Sequence, residues 1–413
     1  MMWKKKREIE QDNISASNVC YAGGRGEDIS AYLCGEGLPA NFLISGGVEA
    51  YRRYQPLGPV LDAVVGTCPL IILHSGEGYM LDLLTRLGRD GREEKDPPLW
   101  VIDERSPSFE PFCGMSVMQA VATLRQLAKK LGYTAAPRFE RCARAHFRIL
   151  EELSIPLSLS GLYYLCCFDD MEEFHDNIMA LPCGENTARR IWADLGVDSE
   201  EGGSQFDLFR AVIHNLAHAA SRCGWSDDNS VSVHNCLQAL RQGAVMVLEI
   251  NSAYGDLFMT YLAEELRGNT APFVLLLDGV PMTDGTFFEY LCLPNTGCSY
   301  GILSENAVEL MGGDEAAFLR LAERIANFVI FKHSTGKTAT ILAEVFGRYD
   351  HTRVELSQGT NQGYFQFLPR DRHSDIRYSV ENRYRVMPEE ITSLRADQAV
   401  IFLTADDAVI HYN

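Results

Sequence analysis

The sequence predicts an α/β fold with a mostly parallel sheet, and two observations support this class. Short apolar runs recur along the chain, and turn residues bound each of them. Continuous rather than alternating apolarity is typical of strands that are buried on both faces. Helical patterns separate many of these runs, and such alternation indicates βαβ units. The predicted strands are NFLIS (41–45), PLIILH (69–74), LWVID (99–103), AVMVLEI (244–250), PFVLLLD (272–278), SYGILS (299–304), NFVIF (327–331) and AVIFL (399–403).

A long stretch, from about residue 113 to residue 242, breaks this alternation and contains helical patterns only. Its apolar residues recur at helical spacing, and Gly, Pro, Asp and Ser separate the successive segments. We therefore predict an all-α domain that is inserted between two strands of the sheet. The predicted helices cover residues 116–132, 138–153, 171–181, 185–196 and 206–224.

The remaining chain completes the predicted organisation. Residues 357–385 are polar and are predicted to be irregular, and a helix, PEEITSLR (388–395), precedes the last predicted strand. The plan comprises an N-terminal segment (1–40), the first part of an α/β core (41–112), the all-α insertion (113–242) and the second part of the core (243–413).

The composition is that of a globular protein with an acidic surface. Its 413 residues are 46% hydrophobic and 23% charged, and the net charge is −19. An acidic surface repels phosphate backbones, so this charge disfavours DNA as a partner unless the fold builds a local basic groove.

Cysteine usage and the start of the chain indicate a cytoplasmic protein. Twelve cysteines are scattered without a CxxC motif, which fits a reducing compartment. No apolar run is long enough to predict a transmembrane helix, and the basic start, Met1–Arg7, has no apolar signal-peptide stretch behind it. That basic cluster is either a solvated end or a contact with the inner face of the cell membrane.

Two places resemble a phosphate-binding P-loop, which needs the pattern G-x-x-x-x-G-K-[ST] after a strand. The glycines let backbone N–H groups surround phosphate, the Lys reaches the β- and γ-phosphates, and the hydroxyl holds Mg²⁺. Gly336-Lys337-Thr338 follows the strand at 327–331, but Phe331 stands where the first Gly is needed. We therefore predict a strand-to-helix turn here, with Ser and Thr side chains that cap the helix.

The second candidate, Gly46 and Gly47, follows the first predicted strand, which is where an NTPase core carries its P-loop. Counted from Gly46, the second Gly of the pattern is Tyr51, the Lys is Arg52 and the hydroxyl residue is Arg53. Tyr51 is bulky where the backbone must curve around phosphate, and Arg53 cannot bind Mg²⁺. Arg52 and Arg53 could clamp an anion, because guanidinium matches phosphate geometry. The alternative is a solvated basic pair at a helix start.

The order of these segments resembles the type IV secretion coupling proteins of the TraG/TraD family, which are RecA-like P-loop ATPases. In that family a P-loop strand leads the core, an all-α domain is inserted into it, and a Walker B strand follows. Each motif is weak alone, and their order and spacing carry the resemblance. The segments are ALRQGAVMVLEINSAYGDLFMTYLAEELR (239–267), APFVLLLDGVPMTDGTFFEYL (271–291), GCSYGILSENAVELMGGDEAAFLRLAERIANFVIF (297–331) and RYRVMPEEITSLRADQAVIFL (383–403).

The resemblance assigns a nucleotide site, and the sequence departs from the family there. Asp278 occupies the Walker B position, but the neighbouring acidic residue, the base for the attacking water in the family, is Gly279. The sensor position, a Gln in the family, is Glu305. Because Arg52 and Arg53 replace the P-loop Lys and hydroxyl, efficient ATP hydrolysis is not expected.

These departures favour a degenerate relative, a pseudo-ATPase with no cofactor, which binds ATP and Mg²⁺ only if the altered site still accepts nucleotide. Such a protein would be an adaptor or subunit that docks relaxosome components, cargo or a partner coupling ATPase. The alternative is an active hexameric ATP hydrolase that translocates DNA with an unorthodox P-loop. A third hypothesis is an interaction protein that kept only the fold. The resemblance also implies a homo-oligomer, although the family's hexamer is tied to ATP sites between subunits.

One group of His and Cys residues has a spacing that is found in zinc sites. His214 and His218 lie four residues apart on a predicted helix, and Cys223, His234 and Cys236 follow. Such spacing can hold zinc. The surrounding apolar residues favour histidines that are packed in a core, so no metal is predicted.

Overall fold

The computed structural model describes residues 18–22, 29, 32–33, 39–47, 54–75, 97–102, 109–134, 136–168, 170–197, 200–220, 235–250, 255–267, 269–294, 297–360 and 372–412. The chain divides into two compact units. The larger unit contains residues 25–327, and the smaller unit contains residues 1–24 and 328–413.

The described strands and helices have the following bounds. The strands are β1 (Asn18–Ala22), β2 (Phe42–Ser45), β3 (Leu70–His74), β4 (Leu99–Ile102), β5 (Val245–Glu249), β6 (Phe273–Asp278), β7 (Cys298–Ser304), β8 (Asn327–Ile330), β9 (Arg348–Thr360), β10 (Arg372–Tyr384), β11 (Ala399–Leu403) and β12 (Ala408–Tyr412). The helices are α1 (Leu57–Val64), α2 (Val117–Lys130), α3 (Pro137–Glu152), α4 (Leu159–Cys166), α5 (Met171–Met179), α6 (Glu185–Leu195), α7 (Glu200–Ala220), α8 (Cys236–Gln242), α9 (Gly255–Leu266), α10 (Gly285–Cys292), α11 (Ala307–Leu310), α12 (Glu315–Ala322), α13 (Gly336–Phe346) and α14 (Pro388–Ser393).

The larger unit is built on a parallel sheet, as the continuous apolar runs predict. Its strand order is β2-β7-β6-β3-β5-β4, and every neighbouring pair is parallel. All residues of β3 and β6 are buried. Strands that are covered on both faces need apolar residues at consecutive positions, which explains why the sequence pattern found them.

The chain leaves this sheet after β4 and returns to it at β5, its hydrogen-bonded neighbour. The described residues between the two strands form helices α2 to α8, which confirms the predicted all-α insertion. We call residues 113–242 the helical insertion. The predicted domain boundaries at 40, 112 and 242 stay predictions. None of the helices in the described part of the chain is long and apolar enough to cross a membrane.

Helices α2 and α5 of the insertion illustrate how side-chain caps begin its helices. The Ser116 hydroxyl accepts the backbone N–H of Gln119, and the Gln119 side chain accepts the N–H of Ser116, which is a capping box. The Asp170 carboxylate accepts the N–H groups of Glu172 and Glu173 at the start of α5. These caps supply partners for N–H groups that have none within the helix, and so they define where each helix begins.

The smaller unit contains strands of mixed direction and an aromatic core. Its strands follow the order β1-β12-β11-β8. Strand β1 pairs with β12 in parallel, and β11 pairs with β12 in antiparallel orientation. The ring centroid of Phe346 lies 5.1 Å from that of Phe402 and 6.0 Å from that of Phe328. These rings pack α13 against β8 and β11.

Strands β9 and β10 form an antiparallel ribbon, so the prediction of irregular structure over 357–385 is wrong for residues 357–360 and 372–384. Residues 361–371 lie outside the described residues. All residues of β9 pair with residues of β10, from Arg348 opposite Tyr384 to Thr360 opposite Arg372. At the base of the ribbon, the Arg348 guanidinium lies 4.0 Å from the centroid of the Tyr384 ring. A two-stranded ribbon need not be apolar on both faces. Its strands contain many polar residues, so they do not show the continuous apolar runs that predicted the other strands.

Candidate functional site

The carboxyl ends of the parallel strands bring several polar residues to one edge of the sheet in the larger unit. His74 of β3 pairs with Asp278 of β6 and with Glu249 of β5. Ser45 of β2 pairs with Ser304 of β7. Because ligands of open parallel sheets bind in the crevice at this edge, it is the candidate site.

Gly46 and Gly47 follow β2 with backbone conformations that favour glycine. Their φ angles are 89° and 93°. The Gly46 N–H donates to the carbonyl of Ser304 at 3.0 Å. The Ser45 hydroxyl accepts the N–H of Ala307 at 3.2 Å. The chain therefore leaves β2 in a turn that hydrogen bonds hold to the end of β7 and the start of α11.

Tyr51, Arg52 and Arg53, the predicted P-loop side chains, lie outside the described residues. Their proposed roles stay predictions. The description resumes at Tyr54, and helix α1 begins at Leu57.

Asp278, the predicted Walker B residue, contacts a tyrosine that the sequence did not identify. The Tyr54 hydroxyl lies 2.9 Å from each carboxylate oxygen of Asp278. Both residues are buried, with 7% and 6% of their surface exposed. The hydroxyl donates its single proton to this carboxylate, so a Mg²⁺ ion or its bound water would compete with it for the same oxygens. The two residues are 224 positions apart, and no local pattern signals their contact.

Gly279, which follows the predicted Walker B residue, occupies a place that suits glycine. Its φ angle is 64°, in the region that L side chains rarely adopt. A Cβ added there would lie 2.6 Å from the hydroxyl oxygen of Ser75. Gly279 also donates its N–H to the carbonyl of Leu303 at 2.9 Å. A carboxylate side chain here would require both the backbone and Ser75 to move.

Glu305, at the predicted sensor position, follows β7 directly and is exposed. Its neighbour Ser304 is buried, and the Ser304 hydroxyl accepts the N–H of Asn306 at 3.0 Å. Asp278 pairs with Leu303 on the adjacent strand. The structure therefore places Glu305 at the same edge of the sheet as Asp278.

Solved structures with the same arrangement identify the fold. The unbound bacterial conjugative coupling protein TrwB matches with a TM-score of 0.57 and 12% identity, over 94% of this chain and 91% of that chain. TrwB in complex with ADP and Mg²⁺ matches with a TM-score of 0.55 and 12% identity, over 94% and 92% of the two chains. The chain has the RecA-like fold of the P-loop NTPases. No family model matches the sequence, and a search of the curated proteins finds no match.

The other P-loop-like stretch lies in the smaller unit of this P-loop NTPase fold. A strand-to-helix turn is present here, as the sequence predicts: helix α13 begins at Gly336, and Thr335 is its N-cap residue. The predicted capping is wrong at Thr335, whose side chain makes no capping hydrogen bond. Its hydroxyl donates to the hydroxyl of Thr338 at 3.0 Å instead. Lys337 is exposed.

His214 and His218 of α7 are exposed, so the prediction that they pack in a core is wrong. The buried face of the helix is formed by apolar residues such as Leu216. Cys223 and His234 lie outside the described residues, and the zinc alternative stays a hypothesis. Within the described ranges, no three His, Cys, Asp or Glu side chains are arranged to hold a metal ion.

Proposed function

We propose that this protein is a pseudo-ATPase relative of the conjugative coupling proteins, and that it acts as an adaptor in type IV secretion. The contact between Tyr54 and Asp278 carries the proposal. Phosphoryl transfer by a P-loop NTPase depends on Mg²⁺, which the Walker B aspartate helps to hold. Here that carboxylate is buried and accepts its hydrogen bond from a tyrosine.

The backbone conformation of Gly279 is a second, independent observation that supports the same proposal. Hydrolysis needs a group that orients the attacking water, and the family's acidic residue for this task is replaced by Gly279. The positive φ angle and the nearby Ser75 hydroxyl oppose any side chain at this position. The altered P-loop residues Arg52 and Arg53 would remove the remaining ligands of the phosphates and the metal.

The class of function rests on the fold. TrwB, a conjugative coupling protein, shares the arrangement over nearly the whole chain. We therefore propose that the adaptor docks relaxosome components, cargo or a partner coupling ATPase at the cytoplasmic side of a secretion channel. The net charge of −19 favours protein partners over DNA.

The competing function is an active ATP-dependent DNA translocase with an unorthodox P-loop. The likeness to TrwB favours it, because TrwB has been solved in complex with ADP and Mg²⁺. The two functions make opposite predictions for nucleotide turnover, which allows a direct test.

Calorimetric titration with Mg-ATP and a steady-state phosphate-release assay on the same purified protein separate the two functions. We expect no turnover by the wild type. ATP turnover by the wild type that is lost in Asp278→Ala would support the translocase function and contradict the pseudo-ATPase proposal. Tyr54→Phe tests whether the tyrosine blocks nucleotide binding. If the rest of the site can bind nucleotide, this variant binds Mg-ATP more tightly than the wild type. Tyr163→Phe, at a surface tyrosine of the insertion, is the matched control.

The adaptor role is tested by co-purification with the products of neighbouring genes. We expect a coupling ATPase or a relaxosome protein encoded nearby to elute with this protein as a stoichiometric complex. A neighbourhood without conjugation genes, together with failure of every neighbouring product to bind, would contradict the adaptor role and favour a protein that kept only the fold.

A further inference from the structure

Two segments join the helical insertion to the sheet, and they lie side by side. They are the leading segment, residues 109–116, and the return segment, residues 235–243. The Asn235 side-chain amide donates to the carbonyl of Cys113. The amide nitrogen of Gln238 lies 3.3 Å from the sulfur of Cys113. We call the two segments together the seam.

Glu110 of the leading segment fixes the start of a helix that is distant in sequence. It is 2% exposed. One of its carboxyl oxygens accepts the N–H of Phe112 at 3.1 Å, and the two oxygens lie 3.0 and 3.1 Å from the N–H nitrogen of Leu159. Because Leu159 is the first residue of α4, Glu110 ties the leading segment to the interior of the insertion.

Helix α9 of the core holds both segments of the seam. Glu265 is 5% exposed and accepts the N–H of Leu237, in the return segment, at 3.0 Å. Tyr261, four residues earlier on the same helix, donates its hydroxyl to the carbonyl of Pro111, in the leading segment, at 3.0 Å. The insertion is therefore attached to the core through a buried carboxyl group and a buried phenol.

The titratable groups of the seam influence one another's pKa values, and Glu110, Glu265, Tyr261 and Cys236 among them are buried. Burial raises the pKa of Glu110 to about 8, although the N–H groups of Phe112 and Leu159 lower it. Burial also raises the pKa of Glu265 to about 7, although the Tyr261 hydroxyl and then the N–H of Leu237 lower it. Burial and then the charge of Glu265 raise the pKa values of Tyr261 and Cys236. Burial and then the charges of Glu110 and Glu265 raise the pKa of Cys113.

Arg241 of α8 brings a positive charge to the seam, since it lowers the pKa of Cys113. Its side chain is exposed. A solvated guanidinium offsets little of the free energy that is needed to bury two carboxylates in one place.

We propose that Glu110 and Glu265 form a pH-sensitive switch, which attaches the helical insertion to the core when protonated and releases it at the seam when ionised. A buried carboxylate is unfavourable, whereas an opened seam lets water reach both groups. Between the ordinary carboxyl pKa of 4.5 in the open seam and the raised pKa of the closed seam, about 8 for Glu110 and about 7 for Glu265, each pH unit therefore increases the open population about tenfold per group. The proposal concerns the attachment of the insertion and is independent of nucleotide.

Hydrogen–deuterium exchange of the full chain, read by mass spectrometry at about pH 6 and about pH 9, tests the switch. Rates are expressed as protection factors, which remove the intrinsic pH dependence of exchange. We expect protection in peptides from the seam and from the start of α4 to fall by about tenfold or more at the higher pH. Protection in β3 and β6 is expected to stay unchanged.

The double variant Glu110→Gln/Glu265→Gln is expected to keep the seam protected at the higher pH, because neither side chain can ionise. Each single variant is measured as well, in case the double variant fails to fold. Glu172→Gln, at an exposed position of the insertion, should behave as the wild type. Three results would each overturn the proposal: constant protection in the wild type, an equal fall in β3 and β6, or an equal fall in the variants that cannot ionise.

Discussion

The ammonium group of Lys130 lies 2.6 Å from the carboxylate of Asp284. Lys130 ends helix α2 of the insertion, and Asp284 caps helix α10 of the core by accepting the N–H of Phe287 at 2.8 Å. Asp284 also accepts the hydroxyl of Thr260 at 3.0 Å. One carboxylate, with 3% of its side chain exposed, thus joins three helices.

We predict that Lys130→Met lowers the free energy of unfolding by about 1–3 kcal/mol, because Asp284 stays buried without its cation. Urea denaturation monitored by circular dichroism measures this loss. Arg189→Met, in an exposed ion pair with Glu185, is the matched control and should cost about 0.5 kcal/mol or less. Equal losses in the two variants would show that burial of the Lys130 pair contributes nothing.

Removal of the Tyr54 hydroxyl should destabilise the protein even though the ring is kept. Tyr54→Phe leaves the buried Asp278 carboxyl without this donor, so we expect a loss of about 1–3 kcal/mol in the free energy of unfolding. Urea denaturation of the purified variant measures it. Tyr163→Phe, at an exposed tyrosine, should change the free energy by less than about 0.5 kcal/mol. A Tyr54→Phe variant as stable as the wild type would contradict the contact.

The backbone at Gly279 should not tolerate a side chain. Gly279→Ala places a Cβ at a φ angle of 64°, and we expect a loss of about 1–2 kcal/mol. Gly285→Ala is the matched control, because a Cβ at that helix start meets nothing within 4 Å. Thermal denaturation of both variants decides the matter. If Gly279→Ala has the same melting temperature as Gly285→Ala, glycine is not required at position 279.

His146 should make the protein sensitive to acid. Its ring stacks on Phe209, with centroids 4.1 Å apart, and burial lowers its pKa from 6.5 to about 4. The folded state therefore binds its proton less readily than the unfolded state. The stability from this group is complete above about pH 6.5 and is lost as the pH falls through about 4, by up to about 3 kcal/mol.

We predict that His146→Phe flattens this part of the dependence of unfolding free energy on pH, because Phe carries no proton to gain. Urea denaturation at a series of pH values gives the slope for each variant. His214→Phe, at an exposed histidine of α7, should keep the slope of the wild type. A slope that is unchanged in His146→Phe would assign the acid sensitivity to other groups.

The core strands could be predicted because their physical requirement is local. A strand such as β6 is buried along its whole length, so its sequence FVLLLD is continuously apolar and is visible without any tertiary information. The helices α2 and α3 were predicted for a similar reason, since their apolar residues recur at helical spacing.

The ribbon and the site contact were not predicted because their requirements are not local. In the ribbon, Arg353 pairs with Ser379 and Glu355 pairs with Arg377, and such polar positions gave no strand pattern. The Tyr54–Asp278 contact is tertiary: it forms because the turn before α1 lies close to the end of β6. The sequence predicted altered P-loop residues, but it contained no sign that the Tyr54 hydroxyl donates to Asp278.

The pairing of β2 with β7 has a consequence for synthesis of the protein. The hydrogen bond from Ala307 to Ser45 closes a loop of 262 residues, and β2 is buried along its whole length. At ribosomal elongation rates, β2 waits on the order of ten to fifty seconds before its partner emerges. During that time its apolar face is open to wrong contacts, so folding in the cell should depend on chaperones that bind nascent chains. Pulse-labelled protein that aggregates when such chaperones are depleted would reveal this dependence.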